Sequence, residues 1–434
     1  MTLFSRPPAL DERLLRRACQ PGRVRGIALD TYRQALERPL GANGLFRRAG
    51  RDARALHSRE RRLVTDAWRD LPRLGPALAH ALDLPLEDLD NLWLGYLVWR
   101  GLDPAHAQDT AAPSADRQVP FTRALDLDLA LPEALVERCA VACAVGHRAA
   151  QDLTSSLGTE VDAFAAANLL RAPLDVRVRA ADVRPRVLQQ LQARIPEASP
   201  CPLSPLGIRL PPSSDLRSLP LVKSGVVQVQ DEASQLIAAL VHLQPGQTVL
   251  DLCAGAGGKT LAMAHAAPSD VQLYATDVRE HALEQLRKRL HHNKIQGVKT
   301  AVLREGTLPK RWPATHDVVL ADAPCSGSGT WRRNPAQRWR LHDLDDTLAL
   351  QREVLSHAAT RVAPGGRLIY ATCSVLREEN EQQVAWFLKE HPEFQLGRVD
   401  LPASAEAVRE GPYVRTWPHR HGCDGFFGAA LDRL

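Results

Sequence analysis

The sequence predicts an α/β protein in which a doubly wound sheet follows a helical N-terminal domain and a small α+β middle module. From Leu221 onward, short apolar runs alternate with segments of helical length, as in a doubly wound sheet. Before Leu102, apolar residues recur only at helical spacing. The 434 residues also exceed the usual size of one domain. We therefore expect a helical domain over 1–102, a linker over 103–120, a middle module over 121–220 and the α/β domain over 221–434.

Composition limits the class of protein. The 55 Lys and Arg residues outnumber the 50 Asp and Glu residues, which is compatible with a phosphate-bearing partner such as RNA. Apolar runs stay short of the ~18 residues of a membrane span, and the N-terminus lacks the apolar stretch of a secretory signal. The eight cysteines are scattered, which indicates reduced thiols. We expect a cytoplasmic protein without membrane contact, and the sequence requires no more than a monomer.

The N-terminal region shows the spacing of buried helices. Leu63, Ala67, Trp68 and Leu71 fall on one helical face. This region is a candidate for RNA binding. The stretch over 103–120 is rich in Pro, Ala, Ser and charge without a periodic apolar face, and this composition predicts the linker.

The middle module and the α/β domain differ in pattern. In the middle module, a candidate for RNA contacts, we predict helices over 131–157 and a strand over 174–178. In the α/β domain a helix is predicted over 280–290, where three leucines share one face. The predicted strands of that domain are the segments TVLDLC, VQLYATD, KTAVLRE, HDVVLADAP and GRLIYATCS.

A glycine-rich turn follows the first of these strands, at CAGAGGKT (residues 253–260). Glycines let the backbone approach a ligand closely, and the helix that follows offers free amide donors. Asp277 ends the next strand, where a carboxylate can accept both hydroxyls of a ribose. A phosphate-binding P-loop needs glycine at the position of Cys253, so a nucleotide triphosphatase is disfavoured. The alternative is an ordinary glycine turn with a helix-capping Asp.

Two further motifs end strands of the same sheet. Asp322-Ala323-Pro324-Cys325-Ser326-Gly327 follows HDVVLA, and Ala371-Thr372-Cys373-Ser374 follows GRLIY. The carboxyl ends of parallel strands face the ligand crevice, so Asp322, Cys325 and Cys373 should point into one site. A single cysteine is more often a small buried hydrophobe. Two cysteines at strand ends, each followed by a serine, favour a chemical role.

Other candidate ligand-binding residues lie nearby in sequence. Arg332 and Arg333 beside Trp331 suit a phosphate clamp with a stacking surface, the alternative being a solvated surface pair. His419, His421 and Cys423 lack a fourth ligand at zinc-site spacing, so we predict no metal.

Taken in order, these motifs resemble the RsmB/Nop/Sun family of RNA cytosine-5 methyltransferases. The resemblance covers Ser224 to Leu434, and in the first hundred residues it is limited to the arginine-rich segment HSRERRLVTDAW. It is closest to the bacterial ribosomal RNA enzymes with a helical N-terminal extension. The matching motifs are Gln230-Asp231, CAGAGGKT, Asp277, DAPCSGSGTWRRNP, TCS with Glu378-Glu379-Asn380-Glu381, and Asp424-Gly425-Phe426-Phe427.

The resemblance implies a class I methyltransferase fold and S-adenosylmethionine as cofactor, with methyl transfer to carbon 5 of cytosine in RNA, most simply ribosomal RNA. It implies that Cys373 is the covalent nucleophile, that Cys325 helps to resolve the adduct and that Asp322 binds the flipped base. Lys259 supplies positive charge that could favour a nearby thiolate, or it is a plain helix-start lysine. The expected cofactor-binding residues are Cys253, Ala254, Gly255, Ala256, Gly257, Gly258, Lys259, Asp277, Glu305 and Asp322.

Three positions depart from the family pattern. The turn has Gly255-Ala256 where alanine-proline is common, Glu305 replaces the usual Asp, and Arg177-Val178-Arg179 stands where the family has RVN. The alternatives left open are a transfer RNA substrate, a class I methyltransferase acting on nitrogen or protein, and a non-catalytic RNA-binding ribosome assembly factor. A nitrogen methyltransferase usually has Asn or Asp before Pro-Pro-aromatic at the position of DAPC, and this chain has no such aromatic residue. A non-catalytic factor would show damage at Cys373, Asp322 or the glycine turn, and these are intact.

Overall fold

The computed structural model describes residues 3–4, 6–37, 45–46, 49–50, 53–111, 118–212, 214–216, 220–304 and 306–434. The chain divides into two compact units, Met1–Leu170 with Thr330–Leu344, and Arg171–Gly329 with Asp345–Leu434. This division differs from the boundaries that the sequence predicts at residues 120 and 220. Within the predicted middle module, the helices over 135–169 pack with the N-terminal helices, whereas its strands and the helix over 184–192 belong to the second unit.

The first unit is helical, as its apolar spacing predicts. Its helices are α1 (Glu12–Cys19), α2 (Arg23–Glu37), α3 (Ser58–Leu82), α4 (Leu89–Trp99), α5 (Pro104–Thr110), α6 (Leu135–Cys143), α7 (His147–Leu157) and α8 (Val161–Leu169). The predicted linker needs correction at its start, because α5 lies within it. Asp103 caps this helix and Ala107 is buried, and together the cap and the buried side chain stabilise the short helix.

Two tryptophans fix the helices of the first unit against one another. The indole N–H of Trp68 on α3 donates to the carbonyl of Ala28, and that of Trp93 on α4 donates to the carbonyl of Ala18. Both indoles are almost fully buried, so these hydrogen bonds satisfy donors that water cannot reach.

The second unit begins with a small antiparallel sheet in the order β2-β3-β1-β4. Its strands are β1 (Leu174–Val178), β2 (Ser199–Pro200), β3 (Gly207–Leu210) and β4 (Val227–Val229). The predicted strand over 174–178 is confirmed. Helix α9 (Arg184–Gln192) covers one face and packs Val187 and Leu191 against Val176 and Ile208.

The main sheet has the order β11-β12-β13-β9-β8-β5-β6-β7, with β10 paired to β13. Strands β7, β6, β5, β8 and β9 are parallel, and β13 joins β9 in the antiparallel sense. The predicted doubly wound sheet and each of its predicted strands are confirmed, whereas the antiparallel strands β10–β13 are an addition to the prediction. The bounds are β5 (Thr248–Asp251), β6 (Gln272–Asp277), β7 (Lys299–Val302), β8 (His316–Asp322), β9 (Val362–Thr372), β10 (Phe394–Leu396), β11 (Arg409–Glu410), β12 (Tyr413–Thr416) and β13 (Phe426–Arg433).

Helices cover both faces of the main sheet, as α/β packing requires. Leu236 and Met263 pack on one side with Ile369, and Leu355 and Phe387 pack on the other. The helices are α10 (Pro220–Lys223), α11 (Glu232–Ala239), α12 (Gly258–Ala266), α13 (Glu280–His292), α14 (Leu344–Ala359), α15 (Glu381–Glu390) and α16 (Pro418–His421), and α13 confirms the helix predicted over 280–290. Within the described ranges, every helix is too short or too polar to cross a membrane.

Candidate active site

Three carboxylates lie at the carboxyl ends of three adjacent parallel strands. Asp251 ends β5, Asp277 ends β6 and Asp322 ends β8, and these strands are neighbours in the sheet. Burial raises the pKa of Asp251 to about 7, and the charges of Asp322 and Asp277 add to the rise. Oδ2 of Asp251 accepts a 2.6 Å hydrogen bond from Thr260, whereas its buried Oδ1 has no partner among the described residues. This concentration of negative charge suits a ligand with cationic groups.

The glycine turn connects β5 to α12 in close contact with α13. Gly257 has φ of +81°, a left-handed conformation that favours glycine. A Cβ at this position would lie 2.2 Å from Cδ1 of Leu286 on α13. Cys253, Gly255, Ala256 and Gly258 remain partly exposed, so the turn is accessible from the crevice side.

Asp277 is held by the glycine turn and by Arg279. Its Oδ2 accepts the backbone N–H of Gly255 at 2.8 Å. The Arg279 guanidinium binds both carboxylate oxygens, at 2.9 and 3.0 Å. Burial alone would raise the pKa of Asp277, but the hydrogen bonds and charge of Arg279 outweigh it, so the pKa of Asp277 lies below its usual value. Asp277 is therefore ionised and anchored at neutral pH.

Lys259 and Asp322 form a close ion pair, with Nζ and Oδ2 2.6 Å apart. The ammonium also lies 4.9 Å from the centre of the Phe426 ring, a cation–π contact. Burial lowers the pKa of Lys259, but the charge and hydrogen bond of Asp322 together with the nearby Cys373 raise it to a net value above normal. Lys259 therefore carries its charge beside Cys373.

The two cysteines predicted to share one site do meet. The Sγ atoms of Cys325 and Cys373 lie 3.3 Å apart. Cys325 is buried and Cys373 is half-buried. The hydrogen bond to Cys373 and burial raise the pKa of Cys325 well above its usual value, so Cys325 remains a protonated thiol that can donate to the Cys373 sulfur.

The backbone around these cysteines leaves no room for side chains. The N–H of Gly329 donates to the carbonyl of Cys373 at 3.0 Å, and the N–H of Gly425 donates to the carbonyl of Gly329 at 2.8 Å. A Cβ on Gly329 would lie 2.0 Å from the Gly425 oxygen. The DGFF segment therefore packs directly on the loop that carries Cys325.

Several predicted site residues lie elsewhere. Trp331 and Arg332 belong to the first unit, and Trp331 is completely buried, with its ring centre 6.1 Å from Phe164 and 4.9 Å from the guanidinium of Arg338. The predicted stacking surface is therefore wrong, because the indole fills a core. Arg332 is also buried, whereas Arg333 is partly exposed. Glu305 lies outside the described residues.

Sequence reasoning did not single out Asp251, Arg279 and Phe426 as members of the site. Asp251 was visible as the last residue of a strand beside the glycine turn, a position that could have been used. Arg279 gave no such signal, because an arginine after a strand is usually a solvated residue. The cation–π contact of Phe426 depends on a tertiary approach between β13 and α12.

Asp175, Cys201 and Glu232 place ligand atoms within 4.8 Å of one another, the spacing of a metal site. Arg209 pairs with both carboxylates at 3.0 Å, and Glu232 also accepts the backbone N–H groups of Leu203 and Ser204. These donors already neutralise the carboxylates, so the cluster is an ion-pair network that joins the small sheet to α11. In the set of His419, His421 and Cys423, for which the sequence predicts no metal, Nδ1 of His421 accepts the backbone N–H of Trp417.

The sheet order and the acidic crevice beside a glycine turn define a class I methyltransferase domain. The crystal structure of PH0851 is similar over 99% of this chain and 100% of that one, with a TM-score of 0.71 and 25% identity. The structure of NSun6 from Pyrococcus horikoshii, solved with SFG, covers 70% of this chain and 98% of its own, with a TM-score of 0.57 and 17% identity.

The sequence comparisons find similarity to one family of methyltransferases. Residues 238–432 match the family model described as 16S rRNA methyltransferase RsmB/F. Ribosomal RNA small subunit methyltransferase B of Yersinia pestis is 36% identical over 270 residues. This match spans 61% of the present chain and 61% of the length of that relative. The methyltransferase domain of this chain is therefore similar to the RsmB/F family over residues 238–432.

Proposed function

We propose that this protein transfers a methyl group from S-adenosylmethionine to carbon 5 of a cytosine in RNA, with 16S ribosomal RNA as the substrate. The observation that carries the proposal is the 3.3 Å contact between the Cys325 and Cys373 sulfurs, beside the Lys259–Asp322 pair. Two thiols in contact at the ends of two strands have no use in nitrogen methylation. They fit a reaction that forms and then breaks a carbon–sulfur bond.

The residues at the strand ends fit the cofactor. S-adenosylmethionine carries a sulfonium and an ammonium group, and the carboxylates of Asp251, Asp277 and Asp322 supply the matching negative charge. The backbone of the turn over 253–258 would contact the cofactor directly. Asp277 would accept hydrogen bonds from the ribose hydroxyls after they displace Arg279 from its carboxylate. When bound, this cofactor supplies an electrophilic methyl group. The relative solved with SFG, an analogue of S-adenosylmethionine, supports the assignment.

The cysteines divide the remaining chemistry between them. Carbon 5 of cytosine is a poor nucleophile, so the Cys373 sulfur first adds to carbon 6 and makes carbon 5 electron-rich. Asp322, oriented by Lys259, hydrogen-bonds the polar edge of the base and holds it for attack. After methyl transfer the carbon 5 proton is lost to solvent, its electron pair restores the 5,6-double bond, and the carbon–sulfur bond breaks to return the Cys373 thiolate. The protonated Cys325 thiol, 3.3 Å from that sulfur, assists this release by donating a hydrogen bond to the departing thiolate.

RNA contacts of the first unit involve Arg333. This residue lines a groove of about 490 Å³ together with Phe46, Trp68 and Arg69. Two arginines beside the partly exposed Phe46 ring suit a phosphate and a stacked base. Together with the net charge of +5, this favours RNA over a protein substrate. A ribosomal RNA substrate would place the protein in the cytoplasm, where it can act as a monomer.

The direct test uses RNA from cells that lack the protein. The purified protein is incubated with this RNA and S-adenosylmethionine, and the digested nucleosides are analysed by mass spectrometry, with Cys373→Ser as the matched control. We expect 5-methylcytosine in 16S RNA from the unchanged protein alone. Methylation of transfer RNA instead would correct the substrate. A methyl group on nitrogen, or RNA binding without methylation, would overturn the proposed chemistry. Bisulfite sequencing of a knockout and its parent locates the cytosine.

A further inference from the structure

A fully buried carboxylate joins the loops that carry the two cysteines. Oε2 of Glu379 accepts the hydroxyls of Ser326 and Ser374, each at 2.5 Å. Oε1 accepts the backbone N–H of Ser326 at 2.8 Å and the Nε2 of Gln351 at 3.0 Å. Ser326 directly follows Cys325, and Ser374 directly follows Cys373. One side chain therefore binds the neighbour of each cysteine.

The carboxylate also orders the hydroxyls around it. The single proton of Ser374 is donated to Glu379, so the 2.8 Å contact between Ser328 and Ser374 must use the Ser328 proton. The Ser328 oxygen in turn accepts the backbone N–H of Val375 at 2.9 Å. Glu379 thus sets the direction of a hydrogen-bond chain that crosses between the two loops.

Contacts from the rest of the fold hold Glu379 itself. The Tyr370 hydroxyl donates to the Glu379 carbonyl at 2.7 Å, and the next residue, Asn380, donates to the carbonyl of Ser374 at 3.0 Å. Gln351 bonds the carbonyl of Pro324, immediately before Cys325, as well as the carboxylate. All four donors to the carboxylate are neutral groups, and such buried hydrogen-bond networks specify one geometry.

We propose that Glu379 is a positioning residue that sets the separation of the Cys325 and Cys373 sulfurs, and that it acts on the methyl-transfer reaction through the release step assigned to Cys325. The catalytic part rests on the function proposed above, whereas the geometric part does not. In Glu379→Gln the amide oxygen would keep the bonds from the Ser326 N–H and Gln351, which can only donate, so the amide NH2 would face the Ser326 and Ser374 hydroxyls. The shape is kept, but the two hydroxyls lose their shared acceptor and must reverse their hydrogen bonds.

The geometric part is tested without RNA or cofactor. Diamide, a two-electron oxidant, removes two hydrogens from a thiol pair and leaves a disulfide, which is mapped by alkylation and mass spectrometry. Sulfurs held in contact react at a high effective concentration. We expect the Cys325–Cys373 disulfide to form about tenfold or more slowly in Glu379→Gln than in the unchanged protein. A rate unchanged within about twofold would overturn the proposal.

Two control variants distinguish the positioning of the two sulfurs from the mere loss of a negative charge and from looser packing of the region. Glu390→Gln removes an exposed carboxylate from the C-terminal end of α15, the helix that follows Glu379, and Val384→Ala loosens the buried face of that helix. Both should oxidise at the unchanged rate. If Glu379→Gln does not fold, the double variant Ser326→Ala with Ser374→Ala removes both hydroxyl donors and keeps the carboxylate. Slow oxidation in the folded serine variant supports the proposal, and normal oxidation refutes it.

The catalytic part is tested by the protein–RNA adduct. Glu379→Gln should accumulate a denaturation-resistant protein–RNA adduct, as Cys325→Ala should. The double variant of Glu379→Gln with Cys325→Ala should release the RNA no more slowly than Cys325→Ala alone. An additive effect would show that Glu379 acts independently of Cys325. If no variant forms an adduct while diamide oxidation still depends on Glu379, the proposed function fails and the geometric role stands.

Discussion

The guanidinium of Arg279 binds both carboxylate oxygens of Asp277, the residue at which β6 ends. The arginine side chain is 58% exposed and the carboxylate only 4%. The arginine can return its charge to solvent when it is displaced, and a hydrogen bond from a ligand to a charged group contributes about 1.5–3 kcal/mol. Two ribose hydroxyls can therefore displace Arg279.

Asp277→Ala should weaken S-adenosylmethionine binding by about tenfold or more, because two ribose hydroxyls lose a charged acceptor. Arg279→Gln is the matched control, and it should bind the cofactor as well as the unchanged protein or better. Titration calorimetry measures both. Unchanged affinity in a folded Asp277→Ala protein would refute the ribose assignment.

The raised pKa of Asp251 predicts that cofactor binding depends on pH. With a pKa of about 7 in the free protein, the carboxyl group is protonated at lower pH and must lose its proton to face a cation. The affinity for S-adenosylmethionine should therefore fall as the pH drops from 8 to 6. Titration calorimetry in buffers of different ionisation enthalpy should show that protons are released when the cofactor binds. Asp251→Asn should remove this dependence. Proton uptake on binding would contradict the assignment.

The glycine turn predicts a contrast between neighbouring glycines. Gly257→Ala places a Cβ 2.2 Å from Leu286 at a backbone φ of +81°. Steric overlap and the left-handed conformation should together cost about 2–4 kcal/mol of the free energy of unfolding. At Gly258 an added Cβ meets nothing within 4 Å, so the free energy of unfolding of Gly258→Ala should be close to that of the unchanged protein. Equal losses in denaturant unfolding would show that the turn is not sterically constrained.

The parallel sheet and its crevice could be predicted because each strand is a short apolar run that ends at a motif. Since parallel strands share one carboxyl edge, Asp277, Asp322, Cys325 and Cys373 had to converge there. The antiparallel strands were harder, because β11 and β12 are two and four residues long and carry little periodicity.

Other features depend on tertiary packing that a sequence pattern does not encode. Thr330–Leu344 belongs to the first unit although it is flanked by second-unit residues, and Trp331 looks the same in sequence whether it stacks on RNA or fills a core. The network around Glu379 arises from serines 48 residues apart on two loops. Its members were within the matched motifs, but their convergence on one carboxylate required coordinates.

The division of labour between the two thiols is the central claim. Each of Cys325→Ala, Cys373→Ala and the double variant is incubated with end-labelled 16S ribosomal RNA and S-adenosylmethionine, then separated by electrophoresis in detergent. Cys325→Ala should give a shifted band that persists, because attack proceeds and release does not. Cys373→Ala and the double variant should give none, because without that sulfur carbon 5 never becomes nucleophilic. A persistent band with Cys373→Ala, and none with Cys325→Ala, would contradict the account by making Cys325 the nucleophile.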